Sequence, residues 1–149
     1  MRVLVVVEPG RGGAAALDRA RELAEVADAV LTLVAIAPWA ASGSRCGNSA
    51  IDYNAVVAET VADDLIAARA RLGEAGAGVP AELLDGGRGS DLARFVADGA
   101  FDMVLLPGRR GLRREARHPA AERLRRAGTA DVVVVGPAAG PAHVARQGR

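Results

Sequence analysis

Two glycine-bearing turns are the places in this chain where residue type and spacing suggest chemistry. Residues 102–111 read Asp102-Met103-Val104-Leu105-Leu106-Pro107-Gly108-Arg109-Arg110-Gly111, an apolar strand running straight into G-x-x-G. Without side chains at Gly108 and Gly111, backbone amides can approach an anion closely, and Arg109 or Arg110 can add charge-assisted hydrogen bonds. That is the chemistry of a phosphate cradle. Earlier, Gly10-Arg11-Gly12-Gly13-Ala14-Ala15 satisfies G-x-G-x-x-A between a strand and a helix, the setting of a dinucleotide fingerprint. Its usual partner is a ribose-gripping carboxylate at the end of the second strand. That stretch, Val34-Ala35-Ile36-Ala37-Pro38-Trp39, contains none, so nicotinamide binding is not supported. The simpler reading is that these glycines permit a tight strand-to-helix turn.

Catalytic groups are scarce. His118 lies among arginines with no identifiable Ser or Cys nucleophile beside it, and reads as a spectator rather than a general base. Asp63 and Asp64 are adjacent on a helix, so their carboxylates diverge by about 100°. Cys46, next to Arg45, is the chain's single cysteine and reads as an ordinary loop residue. With only His118 and His143 as imidazoles, a structural metal site is not expected. All 19 basic residues are arginine, which removes lysine Schiff-base chemistry and the lysine of a Walker loop. No enzymatic activity is expected.

The elements that must position these turns follow from apolar patterning. The 149 residues are 50% hydrophobic, enough for one domain with a substantial core. Residues 3–7 form a short β-branched run broken by Glu8-Pro9-Gly10, a buried strand rather than a leader segment. Similar runs recur at 30–36, 79–84, 103–106 and 132–135. Between them, 14–27 puts Leu17, Ala20, Leu23, Ala24 and Ala27 on one helical stripe, and 50–72 does so with Val57, Val61, Leu65, Ala68 and Leu72. Ser90 and Asp91 suit the start of a third helix, which Gly99 stops after Leu92, Phe95 and Val96 turn inward. Pro119 opens a fourth helix that ends near Gly128. This alternation predicts an α/β fold: a five-stranded parallel sheet, doubly wound and Rossmann-like, with helices on both faces over residues 1–137. The loop at 38–49 reads as an ordered lid, and residues 138–149 as a disordered tail. No apolar stretch approaches the ~20 residues of a membrane-spanning helix, so a cytoplasmic protein with no membrane partner is expected.

In such a sheet ligands bind at the carboxyl ends of the strands, here the loops at 8–13, after 36, at 86–90, at 107–111 and from 136 onward. The blocks Val3-Leu4-Val5-Val6-Val7-Glu8-Pro9-Gly10, Asp102 to Gly111, Ala121-Glu122-Arg123-Leu124-Arg125-Arg126 and Asp131-Val132-Val133-Val134-Val135-Gly136-Pro137, in this order and spacing, resemble the universal stress protein family. The resemblance implies a five-stranded doubly wound sheet, a homodimer in which the last strands pair and, in one branch, bound ATP. It further implies a nucleotide site at Glu8, Pro9, Ala35, Pro107, Gly108, Gly111 and His118, with Ala35 meeting adenine through its backbone; Arg110 and Arg117 join this candidate site on charge rather than on the resemblance. ATP or AMP are the candidate ligands. Two departures stand out. The first-strand acidic residue is Glu8 where the family usually has Asp. The Gly-Ser/Thr pair that follows G-x-x-G after nine residues is replaced by Ala121-Glu122, or by His118-Pro119 if the final helix is aligned instead.

Charge stands where that hydroxyl is missing. Between Arg109 and Arg126 eight arginines face Glu115 and Glu122, a local balance of +6 in a chain of net charge +1, which leaves −5 elsewhere. If helical, Arg110, Arg113, Arg114 and Arg117 share a face suited to a triphosphate or an acidic partner; the alternative is a solvated arginine surface. Nucleic acid is not an expected partner, because 3% aromatic content leaves no stacking platform. Val132, Val133, Val134 and Val135 form an uncharged, β-prone strand that would be exposed at a sheet edge, so a homodimer through this edge is expected. Three functions stay open: a non-enzymatic stress-response module with adenine-nucleotide binding; an ATP-binding protein in which Arg110, Arg113 or Arg117 replaces the absent Ser; and a hydrolase or transferase acting on a small phosphate ester.

Overall fold

The structure, a computed structural model, describes residues 1–9, 11–38, 49–86, 91–108 and 118–136. Its elements run β1 (Arg2–Val7), α1 (Arg11–Ala27), β2 (Val30–Ala37), α2 (Ser49–Leu72), a short 3-10 turn (Gly73–Gly76), β3 (Ala81–Asp85), α3 (Asp91–Gly99), β4 (Met103–Pro107), α4 (Pro119–Ala127) and β5 (Asp131–Val135). All strand pairings are parallel, in the order β3-β2-β1-β4-β5. The expected doubly wound α/β sheet is the observed one, and β5 lies at its edge.

The apolar run of β1 is continuous because both of its faces are covered. Val3, Val5 and Val7 alternate into one core with Ala16, Leu17 and Ala20 of α1 and Leu65, Ala68 and Leu72 of α2. Leu4 and Val6 point the other way, to Leu92 and Val96 of α3 and Ala121 and Leu124 of α4. The two faces are unequally roofed. Helices of 17 and 24 residues cover the first, and two helices of 9 residues each cover the second.

Element ends follow local chemistry. Pro119 is the first residue of α4, and Gly128 closes it in the left-handed region (φ 65°), donating its N–H to the Leu124 carbonyl at 3.2 Å. Helix α3 does end at Gly99, but the left-handed residue is the following Ala100, φ 47°. The predicted stripe of α1 stops short: Ala27 is exposed, since Asp28 (φ 48°) turns the chain away at that point. Strand β3 starts at Ala81 rather than 79, because Val79 is tied to the preceding turn by its N–H to Gly76 and by the Arg69 guanidinium on its carbonyl at 2.9 Å. The proposed Ser90 cap, the 38–49 loop with Trp39, Arg45 and Cys46, and the 138–149 tail lie outside the described residues.

Asp102 joins three strands at the amino-terminal end of the sheet. Its carboxylate accepts from the Arg2 N–H at 2.6 Å, its own N–H donates to the Arg2 carbonyl, and its carbonyl accepts from the Asp131 N–H, both at 2.9 Å. The Arg2 guanidinium lies over the Phe101 ring, 5.3 Å from its centre.

Candidate functional site

From β1 the chain winds outward through β2 to β3, then crosses to β4 on the other side of β1. The carboxyl ends of β1 and β4 therefore flank the switch point, the place where open sheets of this kind bind ligands. Glu8 and Pro9 leave β1 at this point, Glu8 half-buried and Pro9 exposed. The turn that follows is tight. A side-chain carbon at Gly13 would collide with the Glu8 carbonyl oxygen, so this glycine lets α1 lie against the end of β1. Ala35 is buried within the ladder, in register with Val7 on one side and Leu83 on the other, two residues before β2 ends.

Pro107 is the buried last residue of β4, opposite Val135. Gly108 continues the pairing by donating its N–H to the Val135 carbonyl at 2.7 Å. A side chain there would press on the Val135 oxygen and the Gly136 Cα, each 3.0 Å from the added carbon. Glycine at 108 thus holds β4 and β5 together, and its amide already has an acceptor within the sheet. Arg110, Gly111 and Arg117, with Arg109, Arg113 and Arg114, lie outside the described residues.

His118 has a role that sequence reasoning missed. Half-buried, it is the N-cap of α4: its Nδ1 accepts the Ala121 N–H at 3.4 Å, and its carbonyl accepts the Glu122 N–H at 3.0 Å. The ring therefore meets an orphan amide at the helix start, as a capping hydroxyl would. The available signal was a polar side chain immediately before a proline at the first helical position.

On the thinly roofed face, a groove of about 200 Å³ opens between α3 and α4. Ile36 and Leu84, paired in register across β2 and β3, lie at its base, with Leu92 and Leu124 as apolar walls. Ala93 and Ala120 keep it open. Asp85, Gly86 and Asp91 border it on the β3–α3 side, and Arg123 on the α4 side. The groove adjoins Ala35 through Ile36 and His118 through Ala120. Among the described residues, no three His, Cys, Asp or Glu side chains cluster as metal ligands, and no helix is long and apolar enough to cross a membrane.

A family model describing the universal stress protein family matches residues 1–136. The chain belongs to the universal stress protein family. No curated protein matches the sequence significantly, but universal stress proteins of known structure share the fold. One from Burkholderia pseudomallei is 23% identical, with a TM-score of 0.65 over 92% of this chain and 96% of its own. Universal stress protein UspA from Lactobacillus plantarum is 16% identical, with a TM-score of 0.70 over 91% and 97%. A third universal stress protein, solved in complex with cAMP, is 21% identical, with a TM-score of 0.64 over 92% and 97%.

Proposed function

We propose that this universal stress protein is a non-enzymatic stress-response module that binds an adenine nucleotide at the carboxyl ends of its strands. The observation that carries this reading is the groove between α3 and α4, lined at the carboxyl ends of β2 and β3 by Ile36, Leu84 and Asp85 and reaching Ala120 in the first turn of α4. A structural neighbour binding cAMP supports the ligand class. The non-enzymatic reading rests on the lack of a nucleophile and base pair in the sequence, and on His118 being engaged through Nδ1 as a helix cap. The same reading places the protein in the cytoplasm as a homodimer through β5, whose outer edge has no neighbouring strand among the described residues and which carries Val134 at 36% exposure.

Calorimetry with ATP, AMP and cAMP tests the ligand. Heat of binding is expected, and its absence at millimolar nucleotide overturns the reading; release of phosphate during the titration replaces it with the hydrolase. A double variant, Arg110→Ala with Arg117→Ala, that loses ATP but keeps wild-type folding assigns those arginines to the phosphates. Light scattering at micromolar concentration is expected to give twice the chain mass, and Val134→Lys to give the monomer. A wild-type monomer removes the dimer.

A further inference from the structure

We propose that β3 pairs edge to edge with β3 of a second copy of this chain, and that α2 packs against the partner's α2 above the joined strands. This goes beyond the nucleotide reading and does not rest on it. Strand β3 lies at the opposite edge of the sheet from β5, with no strand on its outer side among the described residues. The Leu33 N–H donates to the Pro80 carbonyl and the Gly86 N–H to the Ala37 carbonyl, so the even-numbered residues of this segment turn their backbone groups to β2. Ala81 and Leu83 therefore turn theirs outward. Leu83 is 41% exposed, although it follows Ala81 on the face of the first core. Beside this edge α2 carries a second exposed apolar surface. Ile51, Ala55, Ala58, Ala62 and Ile66 fall within an arc of about 80°, and Ile51 and Ile66 are 66% and 64% exposed. Arg69 lies in the same arc, and its bond to the Val79 carbonyl, just ahead of β3, turns that side of the helix to the strand edge. Arg71, on the other side of α2, bonds Asp18 of α1.

Symmetry decides what fits there. In an antiparallel pair of helices centred between Ala58 and Glu59, Ile51 meets the partner's Ile66 and Ala55 meets the partner's Ala62. In an antiparallel pair of strands centred on Leu83, that residue exchanges both N–H···O bonds with the partner's Leu83, and Glu82 falls opposite the partner's Leu84 instead of another carboxylate. One two-fold axis satisfies both. Helix α2 runs antiparallel to the strands, and from the Arg69–Val79 contact its centre lies about 16 Å up the helix while Leu83 lies about 13 Å along the strand, a difference of about one strand residue. The lateral fit agrees. Because α2 packs on β2 and β3, its axis and that of the partner's α2 stand about two strand spacings apart, near ~10 Å, the distance of packed helices. Alanines at the centre permit that approach, while Glu59 is exposed and sits about 60° farther round than Ala62, toward solvent. The exposed parts of Ile51, Ile66 and Leu83 come to roughly 300 Å² per protomer, which with the strand edge and the alanines brings the interface near the ~1,000 Å² lower bound of specific association. The pairing is therefore weaker than micromolar.

Sedimentation velocity of Val134→Lys, in which the β5 edge is blocked, tests this at about 10 µM and about 1 mM. Monomer at the lower concentration and dimer at the higher are expected. Adding Ile66→Glu, a change at an exposed site, should weaken the dimer by about tenfold or more, because each copy loses apolar contact and gains a charge facing an isoleucine. A monomer at about 1 mM overturns the inference, and so does a dimer that Ile66→Glu leaves unchanged. Register is tested with the β5 edge intact, in a chain carrying Cys46→Ser. Ala55→Cys combined with Ala62→Cys should give a disulfide-linked dimer on air oxidation of the concentrated protein. Ala62→Cys alone should not, since the two copies of residue 62 stand about 10 Å apart along the paired helices, beyond the ~7 Å that a disulfide spans. Failure of the double variant to cross-link, or equal cross-linking of the single one, overturns the inference. A wild type that does not dimerise through β5 leaves these outcomes unchanged, because neither test depends on that edge.

Discussion

Replacing Gly13 by alanine sets two effects of opposite sign against each other. Gly13 is a buried residue in the first turn of α1, where alanine is the better helix former by up to about 1 kcal/mol. Against that, the added carbon would meet the Glu8 carbonyl oxygen, a backbone atom at the end of β1 that no rotamer change can move aside. Relief requires α1 to shift, and α1 carries Ala16, Leu17 and Ala20 in the first core. Overpacking of this kind costs about 1–3 kcal/mol, so the net expectation is a loss of about 1–2 kcal/mol. For a domain of this length each kcal/mol lowers Tm by about 2–4 °C. Urea unfolding should show a reduced midpoint at unchanged slope, with a parallel fall in Tm. A Gly13→Ala protein as stable as the wild type, or more so, refutes the argument that close packing demands glycine. A variant of unchanged stability that has lost nucleotide would revive the dinucleotide-fingerprint reading of this turn.

Gly128→Ala should lose about 1 kcal/mol for a different reason, since nothing crowds the position and the cost comes from φ 65° alone; chemical denaturation measures it. Leu124→Ala removes a side chain only 2% exposed that serves both the second core and the groove wall, and is expected to cost about 2–5 kcal/mol on the same assay. Asp18→Asn breaks a two-point contact with the Arg71 guanidinium, at 3.1 and 2.9 Å, between side chains about half exposed. Its effect should stay below about 1 kcal/mol and shrink further in 1 M salt, as a denaturation series at two ionic strengths would show.

The strands were legible because each is a short β-rich run bounded by Pro, Gly or Asp, and the burial of β1 on both faces follows directly from its unbroken apolar run. Pro119 and Gly128 marked both ends of α4, since each constrains φ in a way only one end of a helix accepts. The β4–α4 turn was less transparent. G-x-x-G does not reveal that the Gly108 amide pairs with Val135, because that bond depends on a strand more than twenty residues later in the chain. The groove was invisible for a related reason: Ile36 and Leu84 fall in apolar strand runs and Leu92 on an inward stripe, so each read as core, and the space between the short helices α3 and α4 depends on how they lie on the sheet. His118 was read as a spectator although Pro119 marked the helix start beside it, because imidazole is not among the side chains that usually cap a helix.

The fastening of β1, β4 and β5 around Asp102 has an evolutionary corollary. The alignment of these three strands has a fastening at the amino-terminal end of the sheet, so insertions, deletions or changes of charge in the connections at the opposite end need not alter how they register. A scaffold anchored in this way can exchange its carboxyl-end loops piecemeal, which accords with a fold retained by neighbours that share 16–23% of its residues.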